Sequence, residues 1–135
     1  MTQAPEHACA LLVDGHDRLV LQLRPATARF AADRLGCFGG KCEPGEDART
    51  ALARELHEEL GWSPPAAHPV VELVRGPRWI ATFFAVSFPD VPVRLEPGFH
   101  LVRAPWRALP GLPVTSWHAA VIAAWRAGHA RVEVP

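Results

Sequence analysis

Residues Asp47 to Leu60 constrain this chain more than any other stretch: good helix formers throughout, with no Gly or Pro until Gly61. Gly is the residue type favoured just past a helix end, because it enters the left-handed region without a Cβ clash. A helix here has two distinct faces. At about 100° per residue, Glu55, Glu58 and Glu59 fall at i, i+3 and i+4 and share one side. Leu52, Leu56 and Leu60 form the neighbouring apolar stripe, so the acidic side borders the core. Ala48 and Ala51 lie beside the carboxylates and are small enough for another chain segment to approach closely.

The segments around this helix read mostly as strands. His7 to Val13 and Arg18 to Arg24 flank the turn signal Asp14-Gly15-His16-Asp17 and predict two strands around a tight turn. Pro25 to Leu35 reads as a loop or a frayed helical turn, and Cys37 to Gly45 as a Gly- and Pro-punctuated segment. After Pro64, Pro65 and Pro69, strand-like runs follow at Val70 to Arg75 and Arg78 to Phe88. Asp90 to Pro97 is a Pro-broken connection, and Phe99 to Arg103 is a further strand candidate. Pro113 to Gly128 is expected to end the domain as an Ala-rich helix, with Val114-Thr115-Ser116 supplying cap candidates. Strands, a helix, more strands and a terminal helix argue for an α+β domain in which helices cover a mixed sheet. A length of 135 residues leaves room for one domain, 1–135.

Fourteen Lys plus Arg balance fourteen Asp plus Glu, so no global field draws the chain to nucleic acid or an anionic membrane. The sum hides a cluster: six of the acidic residues, Glu43, Glu46, Asp47, Glu55, Glu58 and Glu59, fall within one short stretch. Like charges at i, i+4 cost a helix roughly 0.2–0.5 kcal/mol per pair, so something should compensate. Arg54, four residues before Glu58, is one candidate. A divalent cation is the larger one, since hard Mg2+ takes carboxylate and carbonyl oxygens. An isolated E-x-x-E-E would read as a solvated acidic face, but the residues before it change that reading. Gly39-Gly40-Lys41-Cys42-Glu43-Pro44-Gly45-Glu46 holds three glycines able to expose backbone groups to a ligand.

The two parts join at fixed spacing: Gly40, five residues, Glu46, seven residues, then Arg54-Glu55-Leu56-His57-Glu58-Glu59-Leu60-Gly61-Trp62. This resembles the Nudix box, G-x5-E-x7-R-E-U-x-E-E-x-G-U with U bulky and apolar, at all nine specified positions; only Trp62, in place of an aliphatic residue, departs mildly. The resemblance, to the MutT-like Nudix hydrolases, implies the Nudix fold, an α/β/α sandwich around a mixed β-sheet. It also implies hydrolysis of the pyrophosphate bond of a nucleoside diphosphate linked to a second moiety, with Mg2+ or Mn2+. On the same resemblance, Glu58 and Glu59 are the principal metal ligands, Glu55 a further ligand or a base, and Gly39 the donor of a backbone carbonyl. Arg54 would orient a glutamate through a two-pronged ion pair that Lys cannot reproduce, with Glu46 as structural partner. Gly40, Gly45 and Gly61 are motif positions.

Members of this family differ in where the general base sits, which makes Glu96 a second candidate beside its plain reading as an exposed loop glutamate. Lys41, the only lysine, stands in the glycine segment as a phosphate contact or a solvated side chain. With no Tyr in the chain, Trp79, Phe83 and Trp117 are the candidate surfaces for stacking a nucleobase. His57 reads as exposed, while His7, His16, His68, His100, His118 and His129 show no ligand spacing. The segment Cys37-Phe38-Gly39-Gly40-Lys41 resembles the entry to the box in oxidised-purine triphosphatases, so the substrate reading leans to nucleoside triphosphates, oxidised ones included. An ADP-ribose or nucleotide-sugar pyrophosphatase is the alternative, and a non-catalytic nucleotide-binding Nudix module is the alternative of another class. Such a module is expected to lose box carboxylates, and none is missing. The partners expected are a small nucleotide and, as in many relatives, a second copy in a homodimer. Nucleic acid and membrane are not expected. Cys9, Cys37 and Cys42 include no C-x-x-C pair, and Met1 to Glu6 lacks a positive export segment, so a cytoplasmic location is expected.

Overall fold

The structure, a computed structural model, describes residues 4–135, so Met1 to Gln3 of the N-terminal reading lie outside the described residues. Its strands are β1 (His7–Val13), β2 (Arg18–Leu23), β3 (Leu35–Gly36), β4 (Phe38–Lys41), β5 (His68–Arg75), β6 (Arg78–Ser87), β7 (His100–Pro105) and β8 (Arg131–Glu133). Its helices are α1 (Ala48–Leu60) and α2 (Ser116–Arg126), with a 3-10 helix at Trp106–Gly111.

All eight strands join one sheet in the order β3-β2-β1-β6-β5-β8, with β4 added to β1 and β7 to β2. The β1–β6 and β5–β8 pairs are parallel, whereas β1–β2, β1–β4 and β5–β6 are antiparallel, so the sheet is mixed. β1 is its centre. β6 pairs with it along its whole length, while β4 and β2 share its other edge. A strand buried on both faces needs apolar side chains at its buried positions, and Ala8 to Leu12 of β1 supply them. Ala8, Ala10 and Leu12 pack on one side; Cys9 and Leu11 pack on the other.

α1 covers the first face through Ala51, Leu52, Leu56 and Leu60, which meet Phe38, Val20 and Phe84. α2 covers the second through Val121 and Ile122, which join Leu19, Leu21, Leu73 and Phe83. The result is the α/β/α sandwich around a mixed sheet. Asp47 caps α1 by accepting from the Thr50 N–H at 2.7 Å, and Gly61 ends it at φ 68°. The Arg49 guanidinium lies 5.5 Å over the Phe84 ring and donates to the Ala67 carbonyl, tying the helix to the chain beyond it. No helix among the described residues is long and apolar enough to cross a membrane.

Three local expectations are corrected. Cys37 to Gly45 is not loop throughout: Phe38–Lys41 is a strand on β1, with Gly39 opposite Cys9 and Gly40 opposite Ala8. Hydrogen bonds from a distant strand override the glycine punctuation there. α2 does not end the domain either, because the chain turns at Gly128 and β8 runs beside β5, with Arg131 opposite Glu72. Three residues are too few to show a strand period. Thr115 occupies the α2 N-cap position, but its hydroxyl makes no cap bond and, among the described residues, is buried without a partner.

The predicted turn after β1 is held by Asp14. Its buried carboxylate accepts from the backbone N–H groups of His16 and Arg18 at 2.9 and 3.0 Å. It also meets the guanidinium groups of Arg18 at 2.9 Å and of Arg103, on β7, at 2.8 Å. Burial alone would push its pKa up; these donors together outweigh burial and hold it down to about 2. A depressed carboxyl stabilises the fold above its unfolded value near 3.9, and that stability is lost as pH falls through the folded value. Asp14→Asn is therefore expected to lower the thermal midpoint by several degrees at pH 7, with roughly half of the difference gone by pH 3. A constant difference across that range in calorimetric scans would contradict the ion-pair account.

Candidate active site

The acidic face of α1 lies directly against β4. The Gly39 N–H donates to Glu59 Oε1 at 2.9 Å, and Gly39 itself sits at φ 139°, where a Cβ would collide with the Ala8 carbonyl. A Cβ on Gly40 would overlap the Glu55 carboxylate. Two consecutive glycines are thus needed for two reasons: one for the backbone of β1, one for the helix carboxylates.

Arg54 gathers the remaining charges. Its Nε and Nη2 each donate to Glu46 at 2.9 Å in a two-pronged pair, and Nη2 also donates to the Lys41 carbonyl at 3.0 Å. Its Nη1 reaches Glu55 at 3.0 Å and Glu58 at 3.4 Å. Glu46 accepts in addition from the Glu43 N–H at 3.0 Å. The Arg54 guanidinium, with that N–H, holds the Glu46 carboxyl down to about 2. One guanidinium thereby connects the loop before α1, the end of β4 and two of the three helix carboxylates.

Glu59 is in the opposite situation. Burial pushes its pKa up to about 8; the Gly39 N–H and Gln22 oppose that rise, while the charges of Glu55 and Glu96 add to it. Glu96 is exposed in the Pro-rich connection, yet the fold brings it near enough to act on Glu59. Among the described residues, no three carboxylate, imidazole or thiol groups converge into a closed cation cage. Arg54 bridges Glu55 and Glu58 instead. The donor chemistry still fits a hard divalent ion, since carboxylate oxygens cluster beside backbone oxygens and the half-buried Glu59 carboxylate has no positive partner among the described residues. Glu58 is more than half exposed, its side chain retaining 54% of its accessible surface beside Arg54.

A cavity of about 430 Å3 opens beside Glu59, bordered by Gly39, Gly40, the exposed Lys41 and the half-buried Trp117. Phe83 also borders it but is fully buried in the core, so, against the sequence expectation, its ring has no free face on which to stack a base. Strand register explains the arrangement, because Gly39, Cys9 and Phe83 align across β4, β1 and β6. A second cavity adjoins it, and Arg24, Trp117 and His118 line both. A larger apolar cavity of about 580 Å3, between the 3-10 helix and α2, includes none of the carboxylates. Trp79 is not brought into the site. Its indole donates to Glu72 at 2.5 Å, and Glu72 stands opposite Thr82, on the other face of the sheet from Phe83. A bulge between Leu73 and Val74 shifts the register just where Trp79 pairs, which local sequence cannot reveal.

His118 is the residue that sequence reasoning passed over. It sits in the first turn of α2 beside Trp117, and its Nδ1 accepts from the Cys37 N–H at 3.0 Å. Burial, followed by the charges of His7 and Arg24, holds its pKa down to about 4, so the ring is neutral near pH 7. Its only sequence signal was adjacency to a candidate stacking residue.

The NUDIX domain family model matches residues 4–124. A CTP pyrophosphohydrolase of Escherichia coli (strain K12) is 42% identical over 55 residues, which is 38% of this chain and 38% of that protein. The chain therefore matches little more than a third of that relative's length. A MutT NUDIX hydrolase of Burkholderia pseudomallei superposes with a TM-score of 0.66 at 26% identity, covering 93% of this chain and 98% of that one. A MutT protein of Methanosarcina mazei Go1 gives 0.67 at 18% identity, covering 94% and 97%. With the box complete, the acidic helix against its glycine strand, and the family model spanning most of the length, this chain belongs to the NUDIX domain family.

Proposed function

We propose that the chain hydrolyses a pyrophosphate bond of a nucleoside triphosphate, oxidised ones included, with Mg2+ or Mn2+. The observation that carries this reading is the cavity that is bordered both by the Gly39–Glu59 contact and by the ring of Trp117. Phosphates and a nucleobase need those two environments at opposite ends of one space. The name of the Escherichia coli relative, a CTP pyrophosphohydrolase, supports the triphosphate choice.

The residues take distinct parts. Glu58, Glu59 and the Gly39 carbonyl would hold the cation, with Glu55 as further ligand or base and Glu96 as second candidate for the base. When bound, the cation neutralises phosphate charge and acidifies the attacking water. The base removes the water proton, the water oxygen bonds to phosphorus, and the bridging P–O bond breaks with its electrons leaving on the departing phosphate. Lys41 and the backbone of Gly40 stand where phosphate oxygens would lie. Arg54 keeps Glu55 and Glu58 turned toward the strand, a task that needs the planar fork of a guanidinium. All box carboxylates are present, which favours an enzyme over a silent binding module.

Canonical and oxidised nucleoside triphosphates, ADP-ribose, dinucleoside polyphosphates and nucleotide sugars should be assayed with Mg2+ and with chelator. Turnover of a triphosphate, abolished by chelation, is expected; turnover unaffected by chelation, or confined to ADP-ribose or sugars, would reject the reading. Glu58→Gln and Glu59→Gln are each expected to lower kcat by at least about a hundredfold while circular dichroism stays unchanged. In Glu59→Gln the side-chain amide oxygen can still accept from the Gly39 N–H, so wild-type kcat in both variants would exclude the ligand assignment. Arg54→Lys should lower kcat about tenfold or more with little change in KM, because charge is kept and only the fork is lost. Steady-state kinetics showing a purely KM effect would instead place Arg54 on the substrate.

A further inference from the structure

His118 lines both of the adjoining cavities, the first of which it shares with Glu59. Its protonation pattern follows from one hydrogen bond. The Cys37 backbone N–H donates to Nδ1 at 3.0 Å, so Nδ1 carries a lone pair, and a neutral imidazole must then bear its single proton on Nε2. Among the described residues, no acceptor meets Nε2. The ring cannot easily turn: it packs edge-on to Phe83 at 5.4 Å and 84°, and a Cβ on Gly36 would come within 3.2 Å of Nδ1.

Among the described residues, the neighbouring polar side chains include Arg24, which can only donate, and Gln22, whose amide oxygen remains an acceptor. Gln22 spends an amide N–H on the Cys37 carbonyl, and Arg24 spends its Nε–H on the Phe30 carbonyl, leaving further guanidinium N–H groups free. Guanine presents N7 beside O6, and cytosine presents N3 beside O2, each a pair of adjacent acceptors. Adenine has no carbonyl, and its N7 and N1 each stand beside the N6 amino donor. A fixed donor in a partly desolvated pocket penalises a base that leaves it unpaired.

We propose that His118 determines base specificity: its Nε2–H, on the cavity wall it shares with Trp117, donates to a carbonyl oxygen of the nucleobase and selects cytosine or guanine nucleotides over adenine nucleotides. The proposal rests on the nucleotide reading above, and its test measures binding rather than turnover so that the two can fail separately. The α,β-methylene analogues of CTP, GTP and ATP are titrated calorimetrically with Mg2+ into the wild-type chain and into His118→Phe and His118→Gln. The wild type should bind the cytidine or guanosine analogue about tenfold more tightly than the adenosine one, the equivalent of one unreplaced hydrogen bond. His118→Phe should bring that ratio close to one, and His118→Gln, which returns an N–H at similar reach, should restore most of it.

A ligand-side comparison needs no variant: if guanosine is the preferred base, 2-aminopurine nucleotide, which lacks the O6 of guanine and with it the N1 proton, should bind the wild type about tenfold more weakly than the guanosine analogue. Tightest binding of adenosine by the wild type, equal binding of 2-aminopurine and guanosine where guanosine is the preferred base, or an unchanged ratio in a folded His118→Phe would each overturn the assignment. Base-selective binding without hydrolysis of any triphosphate would reject the enzymatic reading and leave His118 in place. Hydrolysis with a flat base ratio would do the reverse.

Discussion

The close approach of α1 to β4 is the constraint on which the site depends. At Gly39 and Gly40 the strand carries no side chains, so the Glu59 carboxylate can accept from a strand N–H and the Glu55 carboxylate can occupy the place of a Cβ. A side chain at either position would push the helix away from the sheet or the strand away from β1. That contact also sets the depth at which Glu59 is buried, and burial is what raises its affinity for a proton and, by the same electrostatics, for a cation. The apolar stripe of Leu52, Leu56 and Leu60 supplies the packing that holds the helix there.

Several carboxylates concentrated in so small a volume require a fixed positive partner. Arg54 serves because its planar fork binds Glu46 with two nitrogens while the third turns to Glu55 and Glu58. The acids fall into two classes as a result. Glu46 is firmly ionised and tied to the guanidinium, whereas Glu59 is half-buried and, among the described residues, uncompensated by any cationic side chain. Catalytic sites that handle phosphate need that division: one group of charges maintains geometry and another remains available to a metal and its water.

Legibility in the sequence tracked the range of the interaction involved. α1 and its Gly61 end were readable because helix propensity, capping and the i, i+3, i+4 rule act within one turn. The turn at Asp14 was equally local. β4 and β8 were not, since Phe38–Lys41 is a strand only because β1 lies beside it, and Arg131–Glu133 only because of β5. Trp79 and Phe83 looked alike as aromatic residues on one strand, and the sheet sends them to opposite faces. His118 was one of seven unremarkable histidines until the Cys37 N–H, 81 positions away, met its ring.

What the sequence determined by itself is the chemistry: nine motif positions at fixed spacing specify an acidic helix, a glycine-bearing segment before it and an arginine between them, whatever surrounds them. Zero net charge concealed that concentration without altering it. The tertiary structure decided which of those acids is buried and which is exposed, and which side chains share a cavity with them. It also decided the environment of a histidine that contributes no motif at all. The physical reason is that identity and spacing are local properties of the chain, whereas dielectric environment, strand register and the partner of a hydrogen bond depend on residues far apart in sequence.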